Sequence, residues 1–158
     1  MTRFNSILAL TFLWVTTVSI QGCKSNNDDP IPEPQTSEQE KVVAILTGGT
    51  GTWAPAAASN SVTVAGFDVT EEFFSDFTIR FSSNQLFTTG TTPVWLRQDT
   101  WQFKSGVADI LIRGQDSREI KIENISETEL KLTLNWPLTT FGGRSRSLPG
   151  TYVFTLRK

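Results

Sequence analysis

The sequence predicts an all-β domain, an antiparallel up-and-down barrel behind one short helix, with an open two-sheet sandwich as the alternative. Three observations carry this. In Glu119-Ile-Lys-Ile-Glu-Asn-Ile125, Leu130-Lys-Leu-Thr-Leu-Asn-Trp136 and Tyr152-Val-Phe-Thr-Leu156, apolar residues alternate with polar ones or threonine. Such alternation marks antiparallel strands with one face on a core and one toward water. Gly114-Gln-Asp116 and Ser126-Glu-Thr128 are of hairpin length, so sequence neighbours pair in the sheet. No segment long enough for a crossover helix separates the strands, which argues against a parallel α/β fold. Many short strands must also cover their edges, and closure into a barrel removes those edges.

The elements follow in order. Ser37-Glu-Gln-Glu40 has capping-box spacing, Val42, Val43, Ile45 and Leu46 share one helical side, and Gly48 supplies a stop. A helix over Glu38 to Leu46 is expected. Strands are then expected at Thr52 to Ser59, Ser61 to Ala65, Phe77 to Phe81, Leu86 to Thr89, Thr100 to Lys104, Ala108 to Arg113, Glu119 to Asn124, Leu130 to Trp136 and Thr151 to Arg157. The exception is Asp68-Val-Thr-Glu-Glu-Phe-Phe-Ser-Asp76, whose early acids suit a helix N-terminus and predict a one- or two-turn lid.

Ahead of this domain, residues 1–22 have the organisation of an export signal. Arg3 and the amino terminus give a positive start, and Ile7 to Ile20 form an apolar run broken by Thr11, Thr16, Thr17 and Ser19. A bilayer-crossing helix needs about 20 apolar residues, so this run is short for a permanent span. It ends in Ile20-Gln-Gly-Cys23, which resembles the bacterial lipoprotein signal, in which cleavage precedes the cysteine and acyl chains are attached to it. The resemblance implies lipidation at Cys23 and a membrane partner reached through that lipid. Each buried acyl methylene contributes about 0.8 kcal/mol, so two or more chains anchor a protein stably. Residues 23–36 are polar and punctuated by Pro30, Pro32 and Pro34, as in an extended tether. Asp28 and Asp29 look like the acidic cluster that, in some Gram-negative lipoproteins, directs display on the outer face of the outer membrane; the periplasmic face is the alternative. Residues 37–158 make up the β domain.

Composition excludes several chemistries. The chain has 14 Lys and Arg against 16 Asp and Glu and no basic block, so a nucleic-acid partner is not expected. It contains no histidine and one cysteine, which removes Ser-His-Asp and Cys-His triads, disulfides and the common zinc sites. No Asp-x-Asp-x-Asp-Gly loop suggests calcium, and no metal or cofactor is expected. Thr47-Gly-Gly-Thr-Gly-Thr52 lacks the following lysine and helix of a phosphate loop. Two carboxylate sets, Glu71 with Glu72 and Asp76, and Asp109 with Asp116 and Glu119, leave a hydrolase as a remote exception to a non-enzymatic reading.

Gly51-Thr-Trp53 at the start of the first strand is similar to the Gly-x-Trp opening of lipocalins. Together with Leu46-Thr-Gly-Gly-Thr-Gly-Thr-Trp53, Phe77-Thr-Ile-Arg-Phe81, Pro93-Val-Trp95, Thr100-Trp-Gln-Phe103, Leu130-Lys-Leu-Thr-Leu134, Gly142-Gly-Arg144 and Gly150-Thr-Tyr-Val-Phe-Thr-Leu156, it resembles the lipocalin-like (calycin-type) lipoproteins of unknown function found in glycan-degrading Gram-negative bacteria. The chain lacks the Thr-Asp-Tyr motif of lipocalins proper. The resemblance implies that Trp53 closes one end of the barrel and that Arg157 packs over it.

Among the tryptophans, Trp53, Trp101 and Trp136 fall within predicted strands and are expected in the core. Trp95, in Thr91-Thr-Pro-Val-Trp-Leu-Arg97, is placed to face a ligand at the barrel mouth or to plug the core. Arg144 and Arg146, in Phe141-Gly-Gly-Arg-Ser-Arg-Ser-Leu-Pro149, could bind a carboxylate or acidic sugar. The expected function is a cell-envelope lipoprotein that binds a small apolar ligand or glycan through Trp95, Arg144 and Arg146. The alternative is an accessory lipoprotein that docks onto an envelope protein partner and holds no small ligand.

Overall fold

The computed structural model describes residues 37–90, 92–137 and 147–158. Cys23 with its signal and tether, and Arg144 and Arg146, lie outside the described residues.

Helix α1 (Ser37–Thr47) leads into strands β1 (Thr52–Pro55), β2 (Val62–Val64) and β3 (Phe67–Asp68), then the short helix α2 (Thr70–Phe74). Strands β4 (Thr78–Phe81), β5 (Gln85–Thr89), β6 (Gln98–Phe103), β7 (Ile110–Arg113), β8 (Glu119–Ile125), β9 (Glu129–Trp136) and β10 (Gly150–Arg157) follow. All pairings are antiparallel. The order β1-β4-β5-β6-β7-β8-β9-β10 returns to β1 through Ala54 opposite Arg157 and Pro55 opposite Leu156, closing an eight-stranded barrel. Closure sets aside the open sandwich. The long β8, β9 and β10 show the cause: Leu130, Leu132, Leu134 and Trp136 face inward, with Lys131 and Asn135 outward, and a one-residue slip would reverse every one of them.

Strand β10 carries two partners in series on its second edge. Beyond β1 it pairs with β2, from Phe154 opposite Val62 to Tyr152 opposite Val64. Residues 56–61 therefore make an excursion opposite the single residue Thr155, whose carbonyl accepts from Ala56 N at 3.0 Å and whose N–H donates to Ser61 O at 2.7 Å. The predicted strand to Ser59 stops at Pro55 for this reason.

Strand β3 was not anticipated from sequence. Ala65 (φ 49°) and Gly66 (φ 86°) both occupy the positive-φ region that a two-residue hairpin turn demands. In the predicted lid, α2 is only five residues long. Its start is fixed by Asp68 Oδ1, which accepts from Thr70 N at 3.0 Å and Thr70 Oγ1 at 2.6 Å, the local bonding that makes aspartate a helix-start residue.

Candidate functional site

The barrel has two ends, differently covered. At the first, short connections join β4 to β5, β6 to β7 and β8 to β9, and α1 lies across them. Leu46 is fully buried, and Trp53 beneath it donates from Nε1 to the Leu46 carbonyl at 3.1 Å. Gln39 Nε2 donates to Val107 O at 2.7 Å, and Lys158 Nζ to Ile45 O at 2.6 Å. The cation over the Trp53 ring is Lys158, 4.4 Å from its centroid. Arg157 points to the outer face, with Nη2 3.9 Å from Glu129 Oε2. Alternation explains the difference: Leu156 faces in, so Arg157 faces out, and the chain must run one residue further before a cation can reach the helix.

At the second end, the connection between β5 and β6 folds inward. Trp95 is 1% exposed and Val94 fully buried. The indole stacks on Phe77 at 6.4 Å and meets Phe154 edge-on at 5.5 Å. Phe74 from α2 packs edge-on against both Phe77 and Phe154. The mouth where Trp95 was expected to meet a ligand is thus occupied by Trp95 itself. Three hydrogen bonds pin the segment: Thr88 N to Arg97 O at 3.0 Å, Thr88 Oγ1 to Leu96 O at 2.7 Å and Arg113 Nη1 to Val94 O at 2.6 Å.

Arg113 is the feature that the sequence reading overlooked. Its guanidinium is 1% exposed, with Nε donating to Asp116 Oδ1 at 3.0 Å and Nη2 to Asp116 Oδ2 in a second, short contact. Asp99 Oδ2 lies 4.0 Å from Nε, and the Trp95 and Trp136 rings flank the group at 5.4 and 5.6 Å. Arg118 bonds Asp116 Oδ2 at 2.9 Å and also lies over the Trp136 ring, 4.7 Å from its centroid. Burial on its own would push the Asp116 carboxyl up, but the hydrogen bonds and charge of Arg113, with the Arg118 N–H and guanidinium, hold it below its ordinary value. Asp99 Oδ1 accepts from Thr100 N at 2.7 Å and Gln115 N at 3.1 Å, whereas among the described residues the buried Oδ2 has no hydrogen-bond partner, nor has Trp95 Nε1. A signal for this cluster was present. Arg113 shares the inward phase of Leu111, and Asp99 that of Trp101, so two adjacent strands each turn one charge of opposite sign toward the core.

The second carboxylate set is not brought together. Asp109 precedes β7 and Asp116 follows it, at opposite barrel ends. Glu119 pairs with Lys104 at 2.7 Å, and Glu71 and Glu72 are exposed on α2. Among the described residues, no group of three or more acidic or cysteine side chains is placed to hold a metal, and no helix is long and apolar enough to cross a membrane.

Two concavities among the described residues are open surface grooves. One of about 500 Å³ is lined by Gln98, Asp99, Thr100, Gly114 and Gln115. A second of about 440 Å³ runs between α1 and the β7–β8 hairpin, past Val42, Asp109 and Ile122. In the first, Gly114 lets the two strands approach closely, because a Cβ at position 114 would run into the Thr100 side chain and force it to shift.

Comparison of the chain with protein-family models, curated proteins and solved structures returned no match.

Proposed function

We propose that this protein is a non-enzymatic accessory lipoprotein of the cell envelope, lipocalin-like in type. A lipid on Cys23 would tether it to the outer membrane, and it would dock onto an envelope protein partner without holding a small molecule inside the barrel. The burial of Trp95 in the aromatic core carries this reading. A tryptophan buries roughly 200 Å², worth about 5 kcal/mol at 25 cal/mol per Å². Vacating the interior would also break the hydrogen bonds that the Val94, Leu96 and Arg97 carbonyls accept. A ligand entering there would face a binding-competent population on the order of one in a thousand or fewer, so the surface is the better place for recognition.

A second reading, glycan binding at the surface, is favoured by the groove of amide and hydroxyl groups from Gln98, Thr100 and Gln115. Native mass spectrometry of the full chain, purified from its own envelope, separates the two. A complex with a second polypeptide supports docking. A co-purifying small mass, with a saturable shift in tryptophan fluorescence on adding it back, overturns it. Labelling with radioactive palmitate tests the tether, which fails if Cys23→Ser retains the label.

A further inference from the structure

The pairing order ends at β3, outside the closed ring. At this edge stands Phe67, 75% exposed, opposite Val64 on β2. The other large apolar side chain exposed among the described residues, Leu148, is tied to the same region. Its N–H and carbonyl bond the Tyr152 hydroxyl at 3.2 and 2.9 Å, and Tyr152 lies opposite Val64. Val69 N donates to Val62 O at 2.9 Å, so Asp68 falls at a position whose N–H and C=O point away from β2, toward an incoming strand. Among the described residues, the segment that carries the edge is acidic: residues 42–79 contain no lysine or arginine, and Asp68, Glu71 and Glu72, which follow Phe67 closely in sequence, are exposed. Among the described residues, Glu71 and Glu72 form no ion pair.

We propose that the β3 edge, with Phe67 as its apolar anchor and Glu71 and Glu72 as its charged flank, receives an extended cationic segment of an envelope protein. Exposed edges are ordinarily blunted by shortness, lysine, proline or a covering element, and β3, two residues long, offers only the outward N–H and C=O of Asp68 to a partner. Here the edge carries an aromatic residue, which suits strand addition with a side-chain pocket or anchor for specificity. The acids set the partner's sign and disfavour an anionic lipid surface as the occupant. This inference rests on the docking reading above and names the surface that reading requires.

The test uses the full chain and a labelled decapeptide of alternating lysine and valine. We expect saturable binding by fluorescence anisotropy, weakened about tenfold or more in Phe67→Ala, as for an interface anchor, and also weakened in the double variant Glu71→Gln, Glu72→Gln. Both sites are exposed, and circular dichroism should be unchanged. Equal binding of a glutamate–valine peptide, or no loss in either variant, overturns the proposal.

Photo-crosslinking in the native envelope separates this surface from the wider reading, with benzoylphenylalanine placed at position 67 or, as a control on the opposite end, at 127. A protein adduct at 67 that the lysine–valine peptide competes away supports the proposal. An adduct only at 127 overturns this surface and leaves docking intact. An adduct at neither overturns both. A product of twice the chain mass, or a lipid adduct at 67, also overturns it.

Discussion

The two ends of the barrel solve one problem with opposite materials. At the α1 end, an amphipathic helix lies over Trp53, and the polar groups meet ordinary partners: an indole N–H on a backbone carbonyl, and a lysine on the helix's last turn, where a cation suits the helix dipole. At the Trp95 end the cover is an irregular segment, held by a guanidinium that has itself been taken out of water. Segments without regular structure carry unpaired carbonyls that must find donors. Arg113 supplies one to Val94 and, in doing so, needs two carboxylates inside. A helical cover depends on area; the irregular cover depends on charge balance.

That contrast can be broken most severely at Arg113. Replacing it with methionine keeps much of the volume but leaves Asp99, with its side chain 4% exposed, without its countercharge. Loss of one member of a buried pair costs about 3–5 kcal/mol, and urea unfolding should show a drop of that size. Arg113→Lys should recover little, because a single ammonium cannot satisfy Asp116 at two oxygens and Val94 at once.

Trp53→Phe and Trp95→Phe sharpen the comparison. Both remove similar volume, but the first orphans the Leu46 carbonyl and the second removes a donor with no acceptor among the described residues. Trp53→Phe should therefore destabilise more, by about 1 kcal/mol, in parallel chemical denaturations. Lys158→Met should cost about 0.5–1 kcal/mol through its cation–π and carbonyl contacts, and Arg157→Ala close to nothing.

Acid provides the mildest probe. The Asp116 carboxyl is lowered in the folded protein, so its stabilisation is fully present above the unfolded value of about 3.9 and is lost as pH falls through the lower folded value. Thermal melts from pH 6 to pH 2.5 should fall less steeply for Asp116→Asn than for the parent protein, and equal slopes would remove Asp116 from the account.

Much of the barrel was legible because β9 and β10 alternate along their whole length and β8 does so up to the irregularity between Ile122 and Asn124, and α1 because its cap, apolar side and glycine stop agree. Trp95 was not legible in position. Its segment is short, bounded by proline and arginine and without periodicity, so nothing local distinguishes an indole facing out from one folded in. What decides is the space left by Phe74, Phe77 and Phe154, which come from three separate elements. Arg113 was legible in principle by its phase, but a terminal arginine on a strand next to a turn is ordinarily solvated. Only the simultaneous inward phase of Asp99 on the neighbouring strand distinguishes it. The 56–61 excursion breaks what sequence presents as an almost continuous run, since alanine, serine and asparagine there are equally compatible with extended chain.

The same excursion offers a port for engineering. Ala57, Ala58, Ser59 and Asn60 are exposed, the strands on either side of them, β1 and β2, both pair with β10, and Thr155 holds both flanks. Lengthening a loop adds only about 0.6 kcal/mol per doubling. An epitope or enzyme tag spliced between Ala58 and Ser59 should leave the register of β10 intact and, in whole cells, test the proposed envelope location by its accessibility from outside.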